Sequence, residues 1–105
     1  MFHLAIITPE GQVYNKPVKS VTAPGVLGYF EILTDHAALV SLLKKGIMKI
    51  TEPQKQTADT YCAVDEGVLE VDAEHNVLVL VDHAVVVPTE REAKEKLNEL
   101  LTSVV

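Results

Sequence analysis

The chain has 105 residues, enough for one hydrophobic core, since a second independent domain needs roughly 50 further residues. Hydrophobic residues make up 48% and charged residues 23%, a balance that fills a compact interior and excludes a disordered chain. The net charge of −6 comes without any basic run, which excludes binding to a phosphate backbone and leaves nucleic acid out of the expected partners.

In chain order the sequence reads as short β-like runs separated by turn residues. Phe2 to Ile7 is apolar and β-branched and stops at Thr8-Pro9-Glu10-Gly11, the first arm of a hairpin. Its start, Met1-Phe2-His3-Leu4-Ala5, lacks the basic region and long apolar stretch of a signal peptide. No run of 18 apolar residues follows, so any membrane association is expected to be peripheral. Val13-Tyr14 and Val18 to Ala23 read as two strands broken by Asn15-Lys16-Pro17, and the second ends at Pro24-Gly25. From Gly28 to Leu33 the period is two, with Phe30 and Ile32 on one face and Tyr29, Glu31 and Leu33 on the other. Leu39 to Leu43 and Gly46 to Ile50 are further strands, and Glu52 to Asp59 is a polar connection. Tyr61 to Val64, Val68 to Val71 and Val77 to Val81 follow, and His83 to Val87 is an edge strand that Pro88 ends. The lone Cys62, among apolar and aromatic neighbours, is expected to be small, buried and reduced. Strands at this spacing imply a sandwich or barrel.

After Pro88 the period changes to that of a helix. Thr89 and Glu92 stand at capping-box spacing, and Ala93, Leu97, Leu100, Leu101 and Val104 form one stripe. Glu90/Lys94 and Glu92/Lys96 are the expected ion pairs of its outer face. A helix this short is not firmly stable alone, so its apolar stripe is expected to pack on the sandwich, or failing that on a partner. The organisation is thus a β domain over residues 1–87 and a helical tail over 88–105.

A search for chemistry yields no catalytic set. Asp35-His36 is the most enzyme-like pair, and a hydrolase built on it needs Ser41 or Thr34 brought beside it by the fold. His3, His36, His75 and His83 lack ligand spacing, and the acidic pairs Asp65-Glu66 and Asp72/Glu74 read as solvated turns, so no metal is expected. Gly25 and Gly28 flank Val26-Leu27 without any phosphate-binding pattern, and neither a nucleotide nor another cofactor is expected. What remains is a binding or structural domain. A stand-alone β-sandwich whose Phe30 to Leu43 face holds a small molecule is the alternative reading, and exposure decides: an open apolar patch favours docking, an enclosed cleft a ligand.

The ordered patterns resemble the epsilon subunits of F-type ATP synthases along nearly the whole chain. Phe2-His3-Leu4-Ala5-Ile6-Ile7-Thr8-Pro9-Glu10-Gly11 is similar to the family's opening strand and turn, and Val21-Thr22-Ala23-Pro24-Gly25 to its next hallmark. Phe30, Ile32, Leu33, His36, Ala37 and Leu39 fit the segment around its Gly-His-Ala-Pro-Leu motif, with Leu43-Lys44-Lys45-Gly46 after it. Ala63-Val64, Gly67-Val68-Leu69-Glu70-Val71 and Asn76-Val77 to Asp82 resemble its closing hairpin.

The resemblance implies a mainly β fold, a ten-stranded β-sandwich or flattened barrel followed by one short C-terminal helix. It implies a non-catalytic rotor subunit that clamps the foot of the gamma shaft, rests on the c-ring and couples proton-driven rotation to the alpha/beta catalytic head. It places the chain, through that complex alone, at the cytoplasmic face of a bacterial inner membrane or the equivalent side of an organelle membrane. The interface with gamma and the c-ring falls on Tyr29, Phe30, Glu31, Ile32, Asp35, His36, Ala37, Leu39 and Leu42. Departures from the family pattern are Tyr29 at an often acidic place, Glu31 at a common Gly, Thr34-Asp35 for Pro-Gly and Ala38 for Pro. Many members carry two tail helices, the second inhibitory; the room for one here predicts weak or absent inhibition by the tail. Arg91 is at a suggestive place, but Pro88 stands for the Asp of the nucleotide motif of some relatives, so ATP binding is not expected.

Overall fold

The structure, a computed structural model, describes residues 1–54 and 58–102, without the side chains of Leu101 and Thr102. Ten strands and one helix follow in order: β1 Phe2–Thr8, β2 Gly11–Val18, β3 Ser20–Gly25, β4 Gly28–Leu33, β5 Leu39–Leu43, β6 Gly46–Thr51, β7 Thr60–Val64, β8 Gly67–Val71, β9 Val77–Val81, β10 Ala84–Val87 and α1 Glu90–Thr102.

The expected mainly β architecture with one C-terminal helix is what forms. Hydrogen bonding runs β10-β7-β6-β3-β5-β8-β9-β1-β2, with β4 added on β3, and β2 approaches β10 so that the sheet nearly closes on itself. Neighbours are antiparallel except β1 and β9, which run parallel from Leu4↔Val77 to Ile7↔Leu80. The alternation of side chains fixes which face is inside: Phe2, Leu4 and Ile6 of β1, Met48 and Ile50 of β6, Leu69 and Val71 of β8, and Val77, Val79 and Val81 of β9 share one core.

β2 and β3 are the strands whose bounds differ from the sequence reading by more than one residue. β2 runs straight through Asn15-Lys16-Pro17, because it ends the strand order and bonds only to β1, where a residue without an N–H is tolerated. Val18, expected to open the next strand, therefore closes β2 in full burial, and β3 starts at Ser20. The register between β1 and β2 slips after Ile6, where Val13 is the extra residue of a bulge.

In β7, Cys62, Ala63 and Val64 are buried in succession, the sign of a strand covered on both faces. Helix α1 is the second cover, packing on β7, β10 and β6 through the fully buried Ala93, as expected of a helix too short to stand alone. Its first turn is capped by Thr89, whose Oγ1 accepts the Glu92 N–H at 3.2 Å. The return half of the capping box is absent, since the Glu92 carboxylate is half-buried and its Oε2 has no partner. Among the described residues, the helix carries the ion pairs Arg91–Glu95 and Lys96–Glu99, where the sequence suggested Glu90/Lys94 and Glu92/Lys96. Of the expected stripe, Leu97 and Leu100 are half-buried, while the Leu101 side chain and Val104 lie outside the described residues, as do positions 55–57 of the polar connection.

Glu52, read from sequence as part of that polar connection, is buried. Its carboxylate accepts the Tyr14 hydroxyl at 2.6 Å and the Thr60 hydroxyl at 3.0 Å, which ties the edge strand β2 to β6 and β7 across the nearly closed seam. Burial first, and then the hydrogen bond to Glu52 and its charge, hold the Tyr14 phenol well above its usual pKa, so Tyr14 is a donor at any working pH. Lys16 adds a 3.7 Å ion pair from solvent, where such pairs contribute little. Tyr14→Phe is expected to lower unfolding stability by about 2 kcal/mol, because a buried carboxylate loses a donor; urea denaturation checks this. Burial also pushes the Cys62 thiol up to about 12. A maleimide is therefore expected to leave the folded chain unmodified at neutral pH and to label it fully in denaturant, as mass spectrometry would show.

Candidate partner-docking surface

β3 and β4 form a hairpin whose turn is the apolar pair Val26-Leu27, between Gly25 and Gly28. Gly28 has φ 132°, which side chains with a Cβ rarely adopt. A Cβ on Gly25 would lie 2.8 Å from both the Gly28 carbonyl and the Phe30 ring, so the tight turn needs both glycines. The hairpin thus holds Leu27 fully in solvent at 101% exposure, beside a half-exposed Val26.

Tyr29 is fixed on the same outer surface. Its hydroxyl accepts the Ile47 N–H at 3.1 Å over Gly46, where a Cβ would stand 2.7 Å from that oxygen. The end of β5 joins β3 through the Val26 N–H to Leu42 carbonyl bond, and β5 turns Val40 and Leu42 outward at 69% and 59% exposure. Val26, Leu27, Tyr29, Val40 and Leu42 surround one open hollow, and exposed Leu33 lies further along β4. Scattered apolar residues on a surface need no explanation, but a contiguous group on one tightly turned hairpin and its neighbour is what a docking surface looks like.

The loop after β4 carries the remaining candidates. The His36 N–H donates to the Leu33 carbonyl at 3.2 Å, and Asp35 takes φ 66°. Asp is among the residues that tolerate this left-handed geometry, so Thr34-Asp35 keeps a tight turn without a glycine. His36 Nδ1 lies 2.7 Å from the Ala37 carbonyl, and Ser41 donates to the Leu42 carbonyl at 3.4 Å. Asp35, His36 and Ser41 therefore make no relay, and the hydrolase reading has no geometry behind it. The acidic turns are likewise occupied locally: Asp65 caps Glu66 and faces His83, and Asp72 caps Glu74 and Asn76.

Of the nine residues expected at the interface, Tyr29, Glu31, Asp35, Ala37 and Leu42 are exposed and His36 is half-exposed. Ile32 is fully buried, and Phe30 and Leu39 turn toward the core; these three anchor β4 and β5 from beneath. Val26, Leu27, Leu33 and Val40 are exposed apolar residues outside those nine. The available signal was two apolar residues in a turn bounded by glycines, a place where polar residues are usual.

Residues 1–87 match a family described as ATP synthase, Delta/Epsilon chain, beta-sandwich domain. The chain belongs to this family. It is 41% identical over 92 residues to the ATP synthase epsilon chain of Campylobacter concisus (strain 13826), covering 88% of itself and 69% of that relative. To the epsilon chain of Helicobacter acinonychis (strain Sheeba) it is 36% identical over 96 residues, 90% of itself and 74% of the relative. Among solved structures it resembles a chain of the Euglena gracilis mitochondrial ATP synthase, described with OSCP, F1 and c-ring in rotational state 1, at a TM-score of 0.74 and 19% identity. That match covers 98% of this chain and 66% of the other, and it speaks for the fold. The chain thus spans about two thirds to three quarters of the length of these proteins. As a delta/epsilon-family chain it is an accessory subunit, not itself a catalyst. Within the family frame the hairpin β3–β4, the loop 34–38 and β5 hold the segment on which the resemblance placed the interface.

Proposed function

We propose that this epsilon-family chain is a rotor subunit of the ATP synthase central stalk, linking the gamma shaft to the c-ring and so coupling proton translocation to ATP synthesis in the catalytic head. The surface of Val26, Leu27, Tyr29, Leu33, Val40 and Leu42, continued by Glu31, Asp35, His36 and Ala37, is its docking face. The observation that carries the reading is the open apolar patch on the β3–β4 hairpin and β5, an arrangement that serves a protein partner better than an enclosed ligand. The names of the epsilon-chain relatives support the assignment to ATP synthase. No described helix is long and apolar enough to cross a membrane, and the chain attaches peripherally, through the complex, at the cytoplasmic face of a bacterial inner membrane.

The test is reconstitution with the gamma subunit of the same organism. Size-exclusion chromatography is expected to yield a one-to-one complex. Two separate peaks from folded partners would overturn the reading.

A further inference from the structure

We infer that His75 is a positioning residue of the docking face: from the β8–β9 turn it holds the loop 34–38 in the conformation that presents His36 and Ala37. The inference rests on the docking reading above and adds to it a residue 39 positions downstream of His36, outside the segment that forms the face.

The loop 34–38 has little of its own to hold it. Its internal bonds are His36 N–H to Leu33 carbonyl and His36 Nδ1 to Ala37 carbonyl, and both join near neighbours. Asp35, Ala37 and Ala38 are exposed, so no side-chain burial fixes them. Among the described residues, the hydrogen bond that reaches this loop from elsewhere is His75 Nδ1–H to the His36 carbonyl oxygen, at 2.9 Å. That bond fixes the tautomer of His75, with the proton on Nδ1.

The turn that carries His75 is, by contrast, heavily determined. Asp72 Oδ1 accepts the Glu74 and Asn76 N–H groups at 2.9 and 3.0 Å. The Asp72 carbonyl accepts the His75 N–H, and the Asp72 N–H donates to the Asn76 carbonyl. Asn76 Oδ1 accepts the His3 N–H at 3.0 Å, which ties the turn to β1. His75 itself takes φ 67°, left-handed geometry that histidine, like the aspartate at 35, adopts more often than most residues. A histidine mounted on a braced turn, with its ring bonded to a carbonyl of a neighbouring loop, is placed to steady that loop through its side chain.

Two variants separate side chain from backbone. His75→Gly accepts the left-handed geometry and removes the donor. His75→Asn keeps the left-handed geometry and puts Nδ2 at the branch position of Nδ1. On the isolated full chain, amide exchange and 15N relaxation at His36 and Ala37 are expected to report a looser loop in His75→Gly and a restored one in His75→Asn. With gamma, His75→Gly is expected to bind about fivefold more weakly, the worth of one hydrogen bond, and His75→Asn to recover most of it. An unchanged loop in His75→Gly overturns the inference, as does a loosened loop with unchanged affinity. If the unmodified chain fails to bind gamma while its loop still loosens in His75→Gly, the docking reading falls and the part played by His75 in ordering the loop stands.

Discussion

Replacing Leu27 and Leu42 together by Asp is expected to leave the fold unchanged and to weaken the complex with gamma about a hundredfold, or about 3 kcal/mol. The asymmetry follows from exposure. Leu27 is fully in solvent and Leu42 is exposed on the outer face of β5, so neither adds much to the core, and exposed substitutions ordinarily shift stability by about 0.5 kcal/mol or less. In a complex both would be desolvated at the centre of the patch, where a leucine gains from burial and a carboxylate without a partner loses. Val13→Asp on β2, also exposed and outside this hollow, is the matched control and is expected to bind normally. Titration calorimetry with gamma reads all three. Equal affinity for the double variant and the control would move the interface to another face.

Gly67→Ala is expected to be the most damaging single methyl in the chain. A Cβ there would lie 2.0 Å from the Leu80 carbonyl oxygen and 2.8 Å from the Val81 Cα, both backbone atoms of β9, with Val81 Cγ1 at 2.7 Å. Gly67 pairs with Val81 at the end of the β8–β9 ladder, so relief requires displacing a strand that continues into the core. Overpacking against a side chain typically costs 1–3 kcal/mol, and a rigid backbone puts this case at about 3 kcal/mol or more. Gly11→Ala is the contrast. Nothing lies within 4 Å of a Cβ at Gly11, and the cost there is the strain of φ 131°, about 1–2 kcal/mol. Urea unfolding midpoints rank the two; a milder effect at Gly67 would mean that β9 yields more readily than its burial implies.

The sandwich was legible because each strand repeats its own evidence. β4 and β9 were read to the residue, since an alternating run and a continuous apolar run end at Gly, Asn or Asp punctuation. β5, an apolar run too short to show a period, was also read to the residue, up to Lys44-Lys45. β2 was cut short because Pro17 is a strand breaker everywhere but on an edge, and edge status is a property of the assembled sheet. Glu52 was taken for a loop residue because nothing local announces a tyrosine 38 positions away that will cover its carboxylate. For the proposed docking face, the resemblance named a segment, but a segment does not say which of its side chains turn inward. Ile32, Phe30 and Leu39 went to the core, and Val40 and Leu33 to the surface.

Sequence alone determined the strand count, the change to a helix after Pro88 and the family, because each rests on local period, turn chemistry or ordered motifs. The tertiary structure decided the rest. It paired β1 with β9 in parallel, buried Glu52 under Tyr14, covered β7 with α1, gathered Leu27, Tyr29, Val40 and Leu42 into one patch and brought His75 to the loop it holds. All of these are contacts between segments far apart in the chain, and periodicity within a segment carries no information about which distant segment will face it.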